Sequence, residues 1–195
     1  MKKIKFLIVL LLCIFITTGC NNSKEEEKML SGKHNIEIIV KDYGSIKVEL
    51  DADVAPITVT NFVNLVNNKF YDGLTFHRII NNFMIQGGDP DGNGTGGSDK
   101  TIKGEFASNG VNNSIPHVRG TISMARSAMY DSASSQFFIV HQDSTYLDGQ
   151  YAAFGHVTEG IEIVDKLCED AVVIDDNGTV QDGMKPVIES IRVIK

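Results

Sequence analysis

The chain has 195 residues, a formal net charge of −7 and three cysteines. An acidic body argues against nucleic acid as a partner and against flat adhesion to anionic lipid, because both need a basic face. Its length suits one domain that buries roughly 70% of its unfolded surface.

Lys2, Lys3 and Lys5 make a positive start, and Phe6 to Ile16 form an apolar run shorter than the about 20 residues that span a bilayer. This reads as a secretory signal over residues 1–19. The run ends in Thr17-Thr18-Gly19-Cys20, which resembles the bacterial lipobox, although Thr17 stands where leucine is usual. The resemblance implies that Cys20 is acylated and becomes the mature N-terminus; an ordinary secretory signal with an incidental cysteine is the alternative. A diacylglyceryl cysteine carries two chains, enough for stable anchoring, so the expected location is the outer face of a cell membrane. Residues 20–33, with Lys24-Glu25-Glu26-Glu27-Lys28 at their centre, read as a polar tether with a full reach of roughly 45 Å. A solvated helix start is the other reading. The domain proper is expected over residues 34–195.

Cys13 leaves with the signal and Cys20 is lipidated, so Cys168 has no partner for an internal disulfide and is expected in the core. Ile36, Ile38 and Val40 alternate with polar residues, Tyr43-Gly44 turns the chain, and Ile46, Val48 and Leu50 continue it, which predicts a hairpin. Pro56 opens a helix in which Val59, Phe62, Val63 and Val66 recur at i, i+3, i+4 and i+7, ending near Asn67-Asn68. Strands follow at about 74–80, 83–87, 119–125, 136–140 and 152–157. A second helix is expected over Ile161 to Cys168 and a last strand over Val187 to Ile194. Many strands and two helices suit a mainly β fold, an antiparallel barrel with helices over its open ends. A closed barrel has no free edge, so a monomer is expected.

Phe76-His77-Arg78-Ile79-Ile80, Phe83-Met84-Ile85-Gln86-Gly87-Gly88-Asp89, Gly94-Thr95-Gly96-Gly97, Ser135-Gln136-Phe137-Phe138-Ile139 and Leu147-Asp148-Gly149-Gln150 occur in the order and near the spacings of the cyclophilins. Residues from about Asn35 to Ile194 resemble that family of peptidyl-prolyl cis-trans isomerases. The resemblance implies a closed eight-stranded barrel capped by two helices, with the site on its outer face. It also implies a catalytic Arg78, a substrate groove of Phe83, Met84, Gln86, Ala125, Arg126, Gln136, Phe138, Leu147 and Tyr151, and a secondary pocket shaped by Gly94.

The residue chemistry agrees with those roles. Alternation along a strand puts Met84 with Gln86 and Gln136 with Phe138 on shared faces, and turns Ile85 and Phe137 to the core. By the same rule Arg78 and His77 face opposite ways, which leaves His77 structural and bonded to backbone. An X-Pro amide isomerises in tens to hundreds of seconds unaided and must lose resonance to rotate. A cationic donor beside it stabilises the twisted form more than the planar one, and Arg78 carries five donors in a rigid fork. The proline ring needs an apolar seat, which Phe83, Met84, Phe138 and Leu147 can supply. Gln86, Gln136 and the backbone near Ala125 and Arg126 can hold the substrate chain. No cofactor or metal is required. A gain of about 10⁵ in rate needs about 7 kcal/mol, within reach of positioning and one or two donors.

Asp89-Pro90-Asp91-Gly92-Asn93-Gly94 begins like a calcium loop, but its twelfth position is Lys100 rather than a carboxylate. Gly97 is not followed by the lysine of a phosphate loop, and no G-x-S-x-G string occurs. Tyr146 and Tyr151 stand where better-known cytosolic members have tryptophan and histidine; losing the indole N–H predicts weaker cyclosporin binding. Arg126 stands where those members have asparagine and either favours acidic residues near the substrate proline or faces water. The expected partners are proline-containing exported polypeptides. The alternative function is a chaperone or adhesin that holds proline segments in the same groove with little turnover.

Overall fold

The computed structural model describes residues 28–195; the signal segment, Cys20 and most of the expected tether lie outside the described residues. Within the described part of that tether, Leu30 packs on the core and its N–H donates to Thr60 Oγ1 at 2.8 Å. The fold therefore takes hold before residue 34.

The first hairpin follows the alternation seen in sequence. β1 (Lys33–Val40) and β2 (Gly44–Asp51) pair antiparallel with Val40 opposite Gly44, and Ile36, Ile38, Val40, Ile46, Val48 and Leu50 are all buried. α1 (Pro56–Asn67) starts at its proline, as a fixed φ and a missing N–H allow, and turns Val59, Phe62, Val63 and Val66 inward. Phe62 packs among Tyr71, Phe137 and Phe154, with ring centroids 4.9, 5.4 and 5.2 Å away. α1 carries no capping side chain of its own. Buried Glu105 supplies one from a distant loop, accepting from Ile57 N–H at 3.1 Å, Thr58 N–H at 2.8 Å and Thr58 Oγ1 at 2.7 Å.

β3 (Thr75–Ile80), β4 (Met84–Asp89), β5 (Thr121–Met124), β6 (Phe137–Val140) and β7 (Ala153–Glu159) follow, then α2 (Ile161–Asp170) and β8 (Ile188–Ile194). Eight antiparallel strands form one curled sheet in the order β3-β4-β6-β5-β7-β2-β1-β8. Cys168 is buried on α2, and burial pushes its thiol up to about 12.

The expected closed barrel is a curled half-barrel instead. The edge strands β3 and β8 share no continuous ladder. They meet through the isolated bridge Thr75–Val187 and three flanking bonds, Gly73 N–H to Ile188 O, Phe76 N–H to Pro186 O and Ile188 N–H to Leu74 O. Beyond that point β3 turns to another partner. A short hairpin closed by Val173–Val180 inserts along it, with the bridge Arg78–Thr179, Ile79 N–H to Gly178 O at 2.8 Å and Val180 N–H to His77 O at 3.0 Å. Backbone groups that a closing strand would have paired are already satisfied there.

Candidate active site

The sheet separates two apolar clusters. Ile85 and Phe137 belong to the main core inside, whereas Met84, Phe138 and Val140 form a second cluster with Ile80, Phe83, Ala125, Leu147 and Tyr151 packed on it. Alternation along β4 and β6 produces this division. The second cluster floors a groove of about 360 Å³ whose walls include Arg78, Phe83, Met84, Gln86, Gly94, Ala125, Arg126, Phe138, Leu147 and Tyr151. All the groove residues read from sequence line it except Gln136. Gln136 lines a neighbouring polar pocket of about 370 Å³ that shares Gln86, Gly94, Ala125 and Arg126 with the first.

A chain of side-chain hydrogen bonds sets the polar edge. Arg78 Nε donates to Asn177 O at 2.8 Å, and its Nη1 donates to Gln86 Oε1 at 3.0 Å. Gln86 Nε2 then donates to Gln136 Oε1 at 2.8 Å, and Gln136 Nε2 donates to Gly96 O at 2.8 Å and Gly94 O at 3.2 Å. The carbonyl oxygens at the far end can only accept, so each amide has one orientation along the chain. The guanidinium is thereby held at two of its nitrogens over the Met84 side of the floor, with donors left over. Burial draws its pKa below the usual value, partly offset by Tyr151 and Asp175, and it remains a cation at any working pH.

The base under Gln136 is rigid. Ser135 Oγ donates to Gly88 O at 2.7 Å, and Tyr71 Oη donates to Ser135 O at 3.1 Å. A side chain at Gly88, whose φ is +83°, would meet Ser135 O at 2.5 Å. Glycine is required where β4 crosses this segment.

One expectation is corrected. His77 is buried and lines the groove wall, because the β3–β4 register shifts between Phe76 and Arg78 and the extra residue breaks the alternation. Burial holds the imidazole below its usual pKa, with the Asp89 carboxylate and the Thr75 backbone opposing. Arg126 is half-buried in the wall shared by the groove and the neighbouring polar pocket. Its guanidinium lies 4.6, 5.1 and 5.2 Å from the ring centroids of Tyr151, Phe106 and Tyr130 and donates to Gln150 O and Ser127 O. It braces the Tyr151 wall. Arg126→Ala is expected to cost about 1–2 kcal/mol in urea unfolding, the sum of a few partly exposed cation–π and hydrogen-bond contacts.

Sequence reading missed Asn177 and Thr179, both in the groove wall. Asn177-Gly178 between Val172-Val173-Ile174 and Thr179-Val180 was the available signal, since Asn-Gly between apolar runs marks a tight hairpin. Tyr146 is mostly exposed at the rim, 6.1 Å from the Phe83 ring. In the Asp89–Gly94 loop the Asp89 carboxylate accepts from the N–H groups of Asp91, Asn93 and Gly94. Burial raises its pKa, but these donors outweigh that and hold it below the usual carboxylate range. Among the described residues no cluster of three or more His, Cys, Asp or Glu could hold a metal ion.

Residues 35–193 match the family model described as cyclophilin type peptidyl-prolyl cis-trans isomerase/CLD. The chain is 45% identical over 131 residues to peptidyl-prolyl cis-trans isomerase B of Bacillus subtilis, covering 66% of this chain and 87% of that one. It is 42% identical over 169 residues to peptidyl-prolyl cis-trans isomerase A of Dickeya dadantii, covering 81% and 84%. A crystal structure of a Cryptosporidium parvum cyclophilin type isomerase, determined in the presence of the dipeptide Ala-Pro, superposes with a TM-score of 0.73 at 30% identity over 83% of this chain and 99% of that one. A β-rich sheet with an apolar floor, a held arginine and this extent of similarity place the chain in the cyclophilin family of peptidyl-prolyl cis-trans isomerases.

Proposed function

We propose that the groove floored by Met84 and Phe138 seats the substrate proline, and that Arg78 assists loss of amide resonance there. The observation that carries this reading is the hydrogen-bond chain from Asn177 through Arg78, Gln86 and Gln136 to Gly96. It holds a cation at the edge of an apolar floor without reorganisation, the condition under which a donor stabilises a twisted amide more than a planar one. The groove has the volume and the few convergent polar groups of a small recognition site. An Ala-Pro unit is a fitting minimal ligand, since a related protein was crystallised with that dipeptide present. NMR exchange spectroscopy of an Ala-Pro peptide with the full chain in detergent tests the reading. Tight binding with exchange at the uncatalysed rate would favour the chaperone or adhesin alternative.

In this reading the substrates are proline-containing exported polypeptides that fold at the outer face of the membrane, and the chain works as a monomer tethered through a lipidated Cys20. Support comes from the sequence of residues 1–20. Cys20→Ser is expected to move the protein from the membrane pellet to the soluble fraction after cell breakage, and unchanged membrane retention would sink the anchor. Cyclosporin binding is expected to be weak, because Tyr146 offers a hydroxyl at the rim in place of an indole N–H.

A further inference from the structure

His117 lies behind the groove rather than in it, and all its polar atoms are committed to elements that build the groove. It is 1% exposed. Its main-chain N–H donates to Asp148 Oδ1 at 2.7 Å, and its carbonyl accepts from Ser144 N–H at 2.7 Å. Nδ1 is 2.8 Å from Asp148 Oδ1, and Nε2 is 3.0 Å from Ser123 Oγ. A carboxylate oxygen only accepts, so Nδ1 carries the proton and Nε2 accepts from the Ser123 hydroxyl. The ring stacks on Phe138 with centroids 6.0 Å apart at 17°, and meets Tyr151 edge-on at 6.5 Å.

The order Asp, His, Ser is that of a hydrolase triad, but Ser123 is fully buried in β5. No acyl group can reach its oxygen, so nucleophilic use is excluded. What the arrangement does instead is tie three walls of the groove to one ring: β5 through Ser123, β6 through Phe138, and the Leu147–Tyr151 segment through Asp148.

We infer that His117 is a positioning residue for prolyl isomerisation, its neutral imidazole backing the Phe138 seat and setting the distance to the Leu147–Tyr151 wall. The inference rests on the proposed use of that groove. Asp148 and Tyr151 are the titratable groups that face the ring; β5 presents Ser123 and β6 presents Phe138, neither of which ionises. Burial pulls the imidazole below its ordinary pKa, with Asp148 opposing, so the neutral form is the working one. Protonation turns Nε2 from acceptor to donor against a serine that has no room to exchange partners with water. The acid form is therefore the one in which the seat loosens.

The test is exchange spectroscopy of an Ala-Pro peptide with the full chain in detergent, repeated across pH while the His117 ring resonances are followed. The catalysed exchange rate is expected to fall on acidification with the midpoint of His117 itself. Asp148→Asn keeps an acceptor without its charge and should move that midpoint to lower pH. His117→Asn keeps a donor toward Asp148 but loses the ring; exchange should slow about tenfold, with weaker peptide binding and no acid limb. Unchanged exchange and affinity in His117→Asn, with only thermal stability lowered, would overturn the inference. If that variant does not fold, a wild-type rate that ignores His117 titration overturns it equally. Should the peptide be isomerised without perturbing Phe138 or Arg78 resonances, the groove assignment falls first and this inference with it.

Discussion

Replacing Arg78 by alanine is expected to lower kcat/KM for a proline peptide by about 10²- to 10³-fold, the usual cost of removing one preorganised donor from a transition state. The substitution should leave the fold intact, because Arg78 is half-buried at an edge strand and its partners have alternatives. Asn177 O can bond water, and Gln86 keeps its bond to Gln136. Arg78→Lys should recover only part of the loss. A single ammonium on a flexible stem cannot be held at once by Asn177 O and Gln86 Oε1 as the fork is. Peptide affinity should change less than the catalysed rate, since the apolar floor of Met84 and Phe138 remains. Equal kcat/KM in wild type and Arg78→Ala would remove the arginine from the mechanism.

Replacing Glu105 by alanine is expected to destabilise the protein by about 2–4 kcal/mol, although Glu105 lies outside the groove. Its carboxylate is the N-terminal cap of α1, and both it and Thr58 are buried. Deletion leaves two backbone donors and a hydroxyl without an acceptor, at the cost of unsatisfied buried groups rather than of one exchanged hydrogen bond. The midpoint of thermal unfolding should drop by roughly 5–15 °C for a domain of this size. Glu105→Gln retains one carbonyl oxygen in place and should lose about half as much. Urea unfolding followed by far-UV circular dichroism measures both. A loss below about 1 kcal/mol for the alanine variant would mean that water caps the helix adequately.

These two residues differ in how visible they are before folding. Arg78 sits in a recognisable string, and strand alternation around Met84, Gln86 and Phe138 separates groove from core by a purely local rule. Glu105 carries no local signal. The sequence around Pro56 announces a helix, but nothing near Glu105 announces that it will cap that helix from a loop 47 residues from Thr58. His77 shows how the local rule fails, since the register shifts around it and Phe76 and His77 are both buried, Phe76 in the core and His77 in the groove wall. The barrel failed as an expectation for a related reason. Strand count was legible, but which backbone donors of β3 would be taken by the Val173–Val180 hairpin was not.

The amino-acid sequence by itself determined the family, the strands and helices, the apolar floor and the identity of the arginine. All of these are encoded in short strings or in periods of two and 3.6 residues. The tertiary structure decided how those residues are held. Arg78 is aimed by Asn177, 99 positions away. Arg126 is braced by three rings beside the groove, and the half-barrel is left unclosed by an inserted hairpin. Each of these depends on a contact between distant segments, whose partners only the folded chain brings within hydrogen-bonding or van der Waals distance.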